Sequence, residues 1–338
     1  MAWQSGAAMA GLTTSMRGIF WTIGPALLAR FRPPGTTPHR PFRVELDDPL
    51  SGRIALTGAL HEPPGATTLL VALHGLGGSI ESSYLRRFAA VANASGLALL
   101  RVNLRGADRS GADFYHAGLT ADLDAILAAP ELRRFDRRVI VGFSLGGHLA
   151  LRWAGERRAE ARRQAAGLVA ICAPLDLDLG ARRLDAAAAV VYRRYVLSGL
   201  NEQLDAVERR SSASGSPRLL RVERPERLAA TTIRAWDGLV VAPRWGFASA
   251  EDYYARASAA PVLPAIDLPG WIVHSDADPM VPPWTVAPGL ARLPAAIAVT
   301  RTARGGHVGM PADLDLGQPG ARGLYGQVVG WVARTLGG

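Results

Sequence analysis

Arg137-Arg138-Val139-Ile140-Val141 runs directly into Gly142-Phe143-Ser144-Leu145-Gly146-Gly147, a β-branched strand that ends in G-x-S-x-G and continues as a helix-forming segment. The glycines have a mechanical reason. A serine on a strained strand-to-helix turn needs small neighbours two positions either side, because side chains there would collide as the backbone folds back. Such a turn is a nucleophile elbow, and it holds the Ser144 hydroxyl out of the sheet where a substrate can meet it. A Gly/Ser loop carries the same letters, but the strand before and the helix after favour the elbow.

Working outward, Leu69-Leu70-Val71-Ala72-Leu73 is a continuous apolar run, the mark of a strand covered on both faces. Leu97 to Val102, Leu168 to Ala173, Trp271 to His274 and Ala296 to Thr300 repeat that character. Helical patterns lie between most of them, at Tyr84 to Ala94, Leu119 to Ala129 and Gly147 to Arg163. Alternating strands and helices with short connections predict an α/β fold with a mostly parallel central sheet flanked by helices. Two alternating segments, around Arg43 to Leu46 and Arg53 to Leu60, predict an antiparallel hairpin at its edge.

Between Ala173 and Leu268 no buried strand is evident. That stretch holds a helix-forming Ala181 to Leu197, a polar break at Ser211 to Pro217, a charged piece through Arg227 and a capped helix from near Ser249. An insertion of this size before the sheet resumes reads as a helical cap or lid over residues 174–260. The expected organisation is an N-terminal arm over 1–40, a core made of 41–173 and 261–338, and that cap.

The 338 residues, 49% of them apolar, are ample for a buried core. All 38 basic residues are arginine, and the formal charge is +9. The arginines are dispersed in pairs such as Arg86-Arg87 and Arg157-Arg158 without interleaved aromatics, so nucleic acid is not an expected partner. Weak attraction to acidic lipid headgroups fits better, as a peripheral membrane contact. The lone Cys172 reads as a buried small hydrophobe in a reducing, cytoplasmic setting. No Cys/His spacing suits zinc, and no metal or cofactor is expected. Near the start, Ile19 to Ala29 is apolar but too short to span a bilayer, and Pro25 interrupts it. The first reading is an arm docked on the protein body, ahead of an interfacial membrane contact and of a cleaved signal.

A serine hydroxyl needs a base within hydrogen-bond reach, itself oriented by a third group. Of seven histidines, His307 follows a strand and is flanked by Gly305-Gly306 and Gly309, which let a loop carry its imidazole toward the elbow. The acid belongs just past Trp271 to His274, where Asp276 and Asp278 both stand at a strand's carboxyl end. Asp278 is preferred because Asp278-Pro279-Met280-Val281-Pro282 fixes its loop, with Asp276 as the alternative. For the oxyanion, one donor is the backbone N-H of Leu145, directly after the nucleophile, and the other is Leu76 N-H in His74-Gly75-Leu76-Gly77-Gly78-Ser79. The order Ser144, Asp278, His307 matches that of α/β-hydrolases and differs from those of the chymotrypsin-like and subtilisin-like proteases.

With these residues in place, the chain resembles the YheT-like branch of the α/β-hydrolase superfamily, the group that includes the ABHD-type lipases and plant EMB8-like proteins. The resemblance covers most of the chain. It rests on His74 to Ser79, Asn103-Leu104-Arg105-Gly106, Tyr115-His116-Ala117-Gly118 and Gly142 to Gly147. It continues in the cap at Gly246-Phe247, Asp252-Tyr253-Tyr254 and Ala257-Ser258, and ends at Gly305 to Gly309. Phe20 to Leu27 looks like a degraded form of the family's apolar leader. Departures are His148 where Asn is common, Trp236-Asp237 for a Phe-Asp pair, and Asp276-Ala277-Asp278 in place of adjacent acids. The resemblance implies a serine hydrolase cleaving carboxylic esters, from small acyl esters to acylglycerols or phospholipids, without a cofactor. The alternatives are a non-catalytic scaffold that binds an acyl ligand or protein partner, and an acyltransferase using the same triad. Tyr115-His116, Arg105 and Asp122 read as structural bracing at the sheet's carboxyl edge, and His74 as structural.

Overall fold

The computed structural model describes residues 18–22, 24, 35, 37–111, 113–214 and 222–337. Its strands are β1 (Arg40–Asp48), β2 (Gly52–His61), β3 (Thr68–Leu73), β4 (Ala98–Val102), β5 (Arg137–Phe143), β6 (Gly167–Ile171), β7 (Gly270–Ser275) and β8 (Ile297–Thr302). They form one sheet in the order β1-β2-β4-β3-β5-β6-β7-β8. β1 pairs antiparallel with β2 and β2 antiparallel with β4, while every later pairing is parallel. The expected hairpin is therefore the antiparallel edge of a parallel sheet.

Apolar runs in β3 to β7 are long because both faces of these strands are covered. Leu69, Val71, Leu100 and Ile140 face one core, while Leu70, Leu99, Val141 and Val273 face the other. Helices α1 (Ser83–Ala94) and α8 (Leu324–Leu336) pack on the second face, and α2 (Ala121–Ala128) and α3 (Leu145–Arg157) on the first. Burial of these side chains removes apolar surface worth roughly 25 cal/mol per Å², which is the main support of the sheet.

β8 departs from the expectation of a buried strand. Among the described residues it has β7 as its only neighbouring strand, and Val299 is 41% exposed, so the run from Ala296 to Thr300 is apolar at an open edge. The helix expected to reach Arg163 stops at Arg157. Arg158 takes φ +51°, which ends α-helical geometry before two short turns, Arg158–Glu160 and Ala161–Gln164.

Between β6 and β7 lie only helices and loops among the described residues: α4 (Leu177–Asp185), α5 (Val190–Ser214), α6 (Arg224–Ala229), helical turns flanking a π-helical Asp237–Val241, and α7 (Ala250–Ala257). The single helix expected over Ala181 to Leu197 is two. Ala186 adopts ψ 148° and breaks the ladder between α4 and α5. Helix α5 then continues through Ser214, so Ser211 does not begin a break, and residues 215–221 lie outside the described residues. The Ser249 cap is as expected, its side chain accepting the N-H of Asp252 at the start of α7. Among the described residues no helix is long and apolar enough to cross a membrane.

A buried ionic cluster ties the hairpin edge to the sheet and to these helices. Arg105, beyond β4, binds Asp122 of α2 with two hydrogen bonds, at 2.5 and 3.1 Å, and Asp48 of β1 at 2.8 Å. Arg244 reaches Asp113 at 2.7 Å.

Candidate active site

β5 delivers Ser144 into a strained turn with φ 53° and ψ −119°, from which α3 starts at once. A Cβ on Gly142 would overlap the backbone of Gly146, and one on Gly146 would overlap the carbonyl of Leu73 in β3. The two glycines are thus required by close backbone approach, which is the mechanical expectation for an elbow. Ser144 N-H donates to Ile171 O of β6 at 2.8 Å, pinning the turn to the sheet.

β7 and β8 bring up two loops. Asp278 sits 2% exposed in the loop after β7, and His307, 7% exposed, in the loop after β8. His307 Nε2 lies 2.8 Å from Ser144 Oγ, and His307 Nδ1 lies 2.8 Å from Asp278 Oδ2. The other Asp278 oxygen accepts the N-H groups of Met280 at 2.8 Å and Val281 at 2.9 Å. Burial pushes the Asp278 carboxyl up, but the adjacent His307 and the Val281 N-H outweigh it and hold the group below its ordinary range. Asp276 points elsewhere, to Arg301 Nε at 2.7 Å on the exposed edge. The structure therefore brings together Ser144, His307 and Asp278, and leaves Asp276 outside.

The loop after β3 has most of its donors already used. Gly75 N-H donates to the Tyr84 hydroxyl at 2.9 Å and Gly77 N-H to the Tyr115 hydroxyl at 2.8 Å. Gly78 N-H donates to Gly75 O at 3.0 Å and Ser79 N-H to Ser82 Oγ at 3.1 Å. Between them, Leu76 N-H makes no hydrogen bond to a described residue, while Leu145 opens α3, where an N-H has no intrahelical acceptor. Both leucines line the same cavity as Ser144. His74 secures this loop: its Nδ1-H donates to Gly75 O at 2.8 Å, and Nε2 accepts Leu104 N-H at 3.1 Å. Burial pushes its imidazole down to about 4, so it is the neutral ring that does this.

The cavity has a volume of about 690 Å³ and is walled on one side by Ser144 and His307, on the other by side chains such as Leu184, Val196, Trp236 and Tyr254. Asp237 also reaches it. Its Oδ2 accepts the Tyr254 hydroxyl at 2.6 Å, and burial pushes the carboxyl up to about 7. His148, one turn beyond the elbow, lies 2.9 Å from Pro174 O through Nδ1 and 2.9 Å from Ala257 O through Nε2. It thereby spans the two points where the helical insertion leaves and rejoins the sheet.

The bracing tyrosines were not legible as such. Tyr115 reads from sequence as a sheet-edge brace, whereas its hydroxyl fixes the loop 38 positions earlier, and Tyr84 carries no signal beyond opening a helix. Only their proximity to the glycine loop in space identifies the role.

A parallel sheet with an antiparallel second strand, and a nucleophile elbow after its fifth strand, define an α/β hydrolase. The pattern of the alpha/beta hydrolase family matches residues 70–316, and the chain belongs to that family. Within it, the chain falls in the esterase- and lipase-like branch that its motifs resemble. It is 30% identical to the YheT protein of Escherichia coli (strain K12) over 71% of this chain and 69% of that one. It is 27% identical to the monoacylglycerol lipase of Saccharomyces cerevisiae over 73% of this chain and 56% of the lipase, so it spans little more than half of that relative. Among solved structures, the Pyrococcus furiosus esterase Pf2001 superposes with a TM-score of 0.51 at 15% identity, covering 80% of this chain and 85% of that chain. At that identity the likeness is one of fold. The fold class and family expected from the motifs are borne out.

Proposed function

We propose that this chain hydrolyses carboxylic esters, either short- to medium-chain acyl esters or lipids, through Ser144, His307 and Asp278. The observation that carries the reading is the continuous hydrogen-bonded chain from Ser144 Oγ through His307 to Asp278, set in the wall of an apolar cavity beside two N-H groups unclaimed by described residues. Ser144 Oγ attacks the ester carbonyl while His307 Nε2 takes its proton. Asp278, kept ionised, stabilises the imidazolium at Nδ1. The carbonyl oxygen becomes an oxyanion between the N-H groups of Leu76 and Leu145, each such donor being worth about 10²- to 10³-fold in rate. Collapse expels the alcohol, which receives the proton from His307. Water then enters, gives its proton to His307 and attacks the acyl-enzyme, releasing the acid and restoring Ser144.

The helices of residues 174–260 serve in this reading as the cap that walls the acyl pocket, over a core of 41–173 and 261–338; of the arm expected over 1–40, only residues 18–22, 24, 35 and 37–40 are described. Leu184, Val196 and Tyr254 on the cavity wall support it, and a volume of about 690 Å³ suits a substantial apolar group. A fluorophosphonate probe tests the assignment. The parent is expected to label covalently and Ser144→Ala not at all, with turnover over a series of acyl esters lost in parallel. Equal labelling of both proteins would overturn it.

A further inference from the structure

The apolar N-terminal segment was expected to dock on the protein body, and where its described residues dock is informative. Residues 18–22 are helical and lie against both loops that carry the acid and the base. Thr22 Oγ1 accepts the backbone N-H of His307 at 2.8 Å and donates its own proton to Gly18 O at 2.7 Å. The second bond orients the first, because a hydroxyl whose hydrogen is committed to one carbonyl turns its lone pairs toward the other partner. Gly18 in turn packs on Ala277, between Asp276 and Asp278.

The base loop is built to receive this segment. A Cβ on Gly306 would overlap Gly18 O and lie 2.6 Å from Thr22 Oγ1, so only glycine admits the arm. On the other side of His307, Val308 is held at φ 53°, an uncommon conformation for a β-branched residue that persists only where its surroundings impose it. The loop's own backbone contributes Gly306 N-H to Gly309 O at 2.9 Å, whereas the His307 N-H is taken by Thr22. Thr22 also lines the cavity beside His307.

We propose that Thr22 is a positioning residue for the active site: through its hydroxyl the N-terminal arm clamps the His307 loop and sets the imidazole between Ser144 and Asp278. The inference rests on His307 acting as the base. It makes the arm a part of the active-site machinery in addition to whatever else the segment does. Loss of the clamp lets the imidazole wander from Ser144, which slows chemistry, while the hydrophobic wall of the pocket at Leu184, Val196 and Tyr254 is unchanged. Small misplacements of this kind are costly to rate.

Thr22→Val keeps the shape and removes the hydroxyl. It is expected to lower kcat about tenfold with KM within about twofold and to slow fluorophosphonate labelling by a similar factor, while the stranded His307 N-H lowers the melting temperature. Thr22→Ser, which restores the hydroxyl, is expected to recover most of the rate. Gly306→Ala, which expels the arm from the other side, is expected to reproduce the kcat loss. A Thr22→Val enzyme with parental kcat, or a loss that Thr22→Ser does not rescue, would overturn the proposal. Failure of the underlying reading looks different, since the parent itself would then label no better than Ser144→Ala.

Discussion

The Tyr115 hydroxyl accepts the N-H of Gly77 at 2.8 Å, and with Tyr84 on Gly75 it leaves Leu76 as the one residue of Gly75-Leu76-Gly77 whose N-H is unclaimed by a described residue. Two tyrosine hydroxyls, Tyr84 at the start of α1 and Tyr115 beyond β4, thus decide which N-H groups of this loop are engaged. Tyr115→Phe removes the acceptor of a half-buried N-H, which costs at most about 1–3 kcal/mol. The freed Gly77 N-H also lets the loop rotate, so kcat is expected to fall about tenfold, because oxyanion donors act only at fixed geometry. Steady-state kinetics with thermal melting checks this, and Tyr84→Phe should act in the same direction. Parental kcat in both variants would remove the tyrosines from the account.

Arg105 supports a prediction about stability. It is 1% exposed and holds Asp122 and Asp48, so Arg105→Met leaves the buried Asp122 and the half-buried Asp48 without their cation. Breaking a buried pair by removing one partner costs about 3–5 kcal/mol, mostly the penalty of the stranded charge. Urea unfolding should register a loss of that size. The double variant Arg105→Met with Asp122→Asn should lose less than the single one, since it removes one of the stranded charges. Strictly additive losses would indicate that the arginine contributes packing alone.

Much of this architecture was legible because it is local. The elbow at Ser144, the glycine loop at His74 to Ser79 and the buried strands announce themselves within a few residues, and the order of Ser144, Asp278 and His307 follows the order of the strands that carry them. Features set by neighbours in space were less legible. Ala296 to Thr300 is as apolar as an interior strand, yet among the described residues no strand lies outside β8, and composition does not say which strand is last. Ala186 is a good helix former, but it breaks the chain between α4 and α5, where tertiary packing overrides propensity. The same limit hid the roles of Tyr84, Tyr115 and Thr22. Tyr115 and Thr22 act on backbone N-H groups 38 and 285 positions away and Tyr84 on one in the preceding loop, and a single hydroxyl leaves no periodic trace.

His74 couples the glycine loop after β3 to pH. Its ring is fully buried and must stay neutral, since Nε2 accepts the Leu104 N-H while Nδ1-H serves Gly75 O. Burial pushes the imidazole down from 6.5 to about 4. Between those values the unfolded chain binds a proton that the folded chain refuses. Stability from this site is therefore complete above about pH 6.5 and is lost as pH falls toward 4, by about 1.4 kcal/mol per pH unit where the difference is one proton. His61, pushed down to about 4 mainly by burial, adds a slope of the same sign, so the parent curve alone does not isolate His74. The comparison with His74→Gln does. Glutamine retains a donor and an acceptor but does not titrate, so the variant should be less stable than the parent at pH 7.5 and lose less on acidification. Urea unfolding at pH 7.5, 6 and 5 should give curves that converge toward acid. Parallel curves would mean that His74 takes up its proton in the folded protein, and the neutral-ring account of the loop would fail with them.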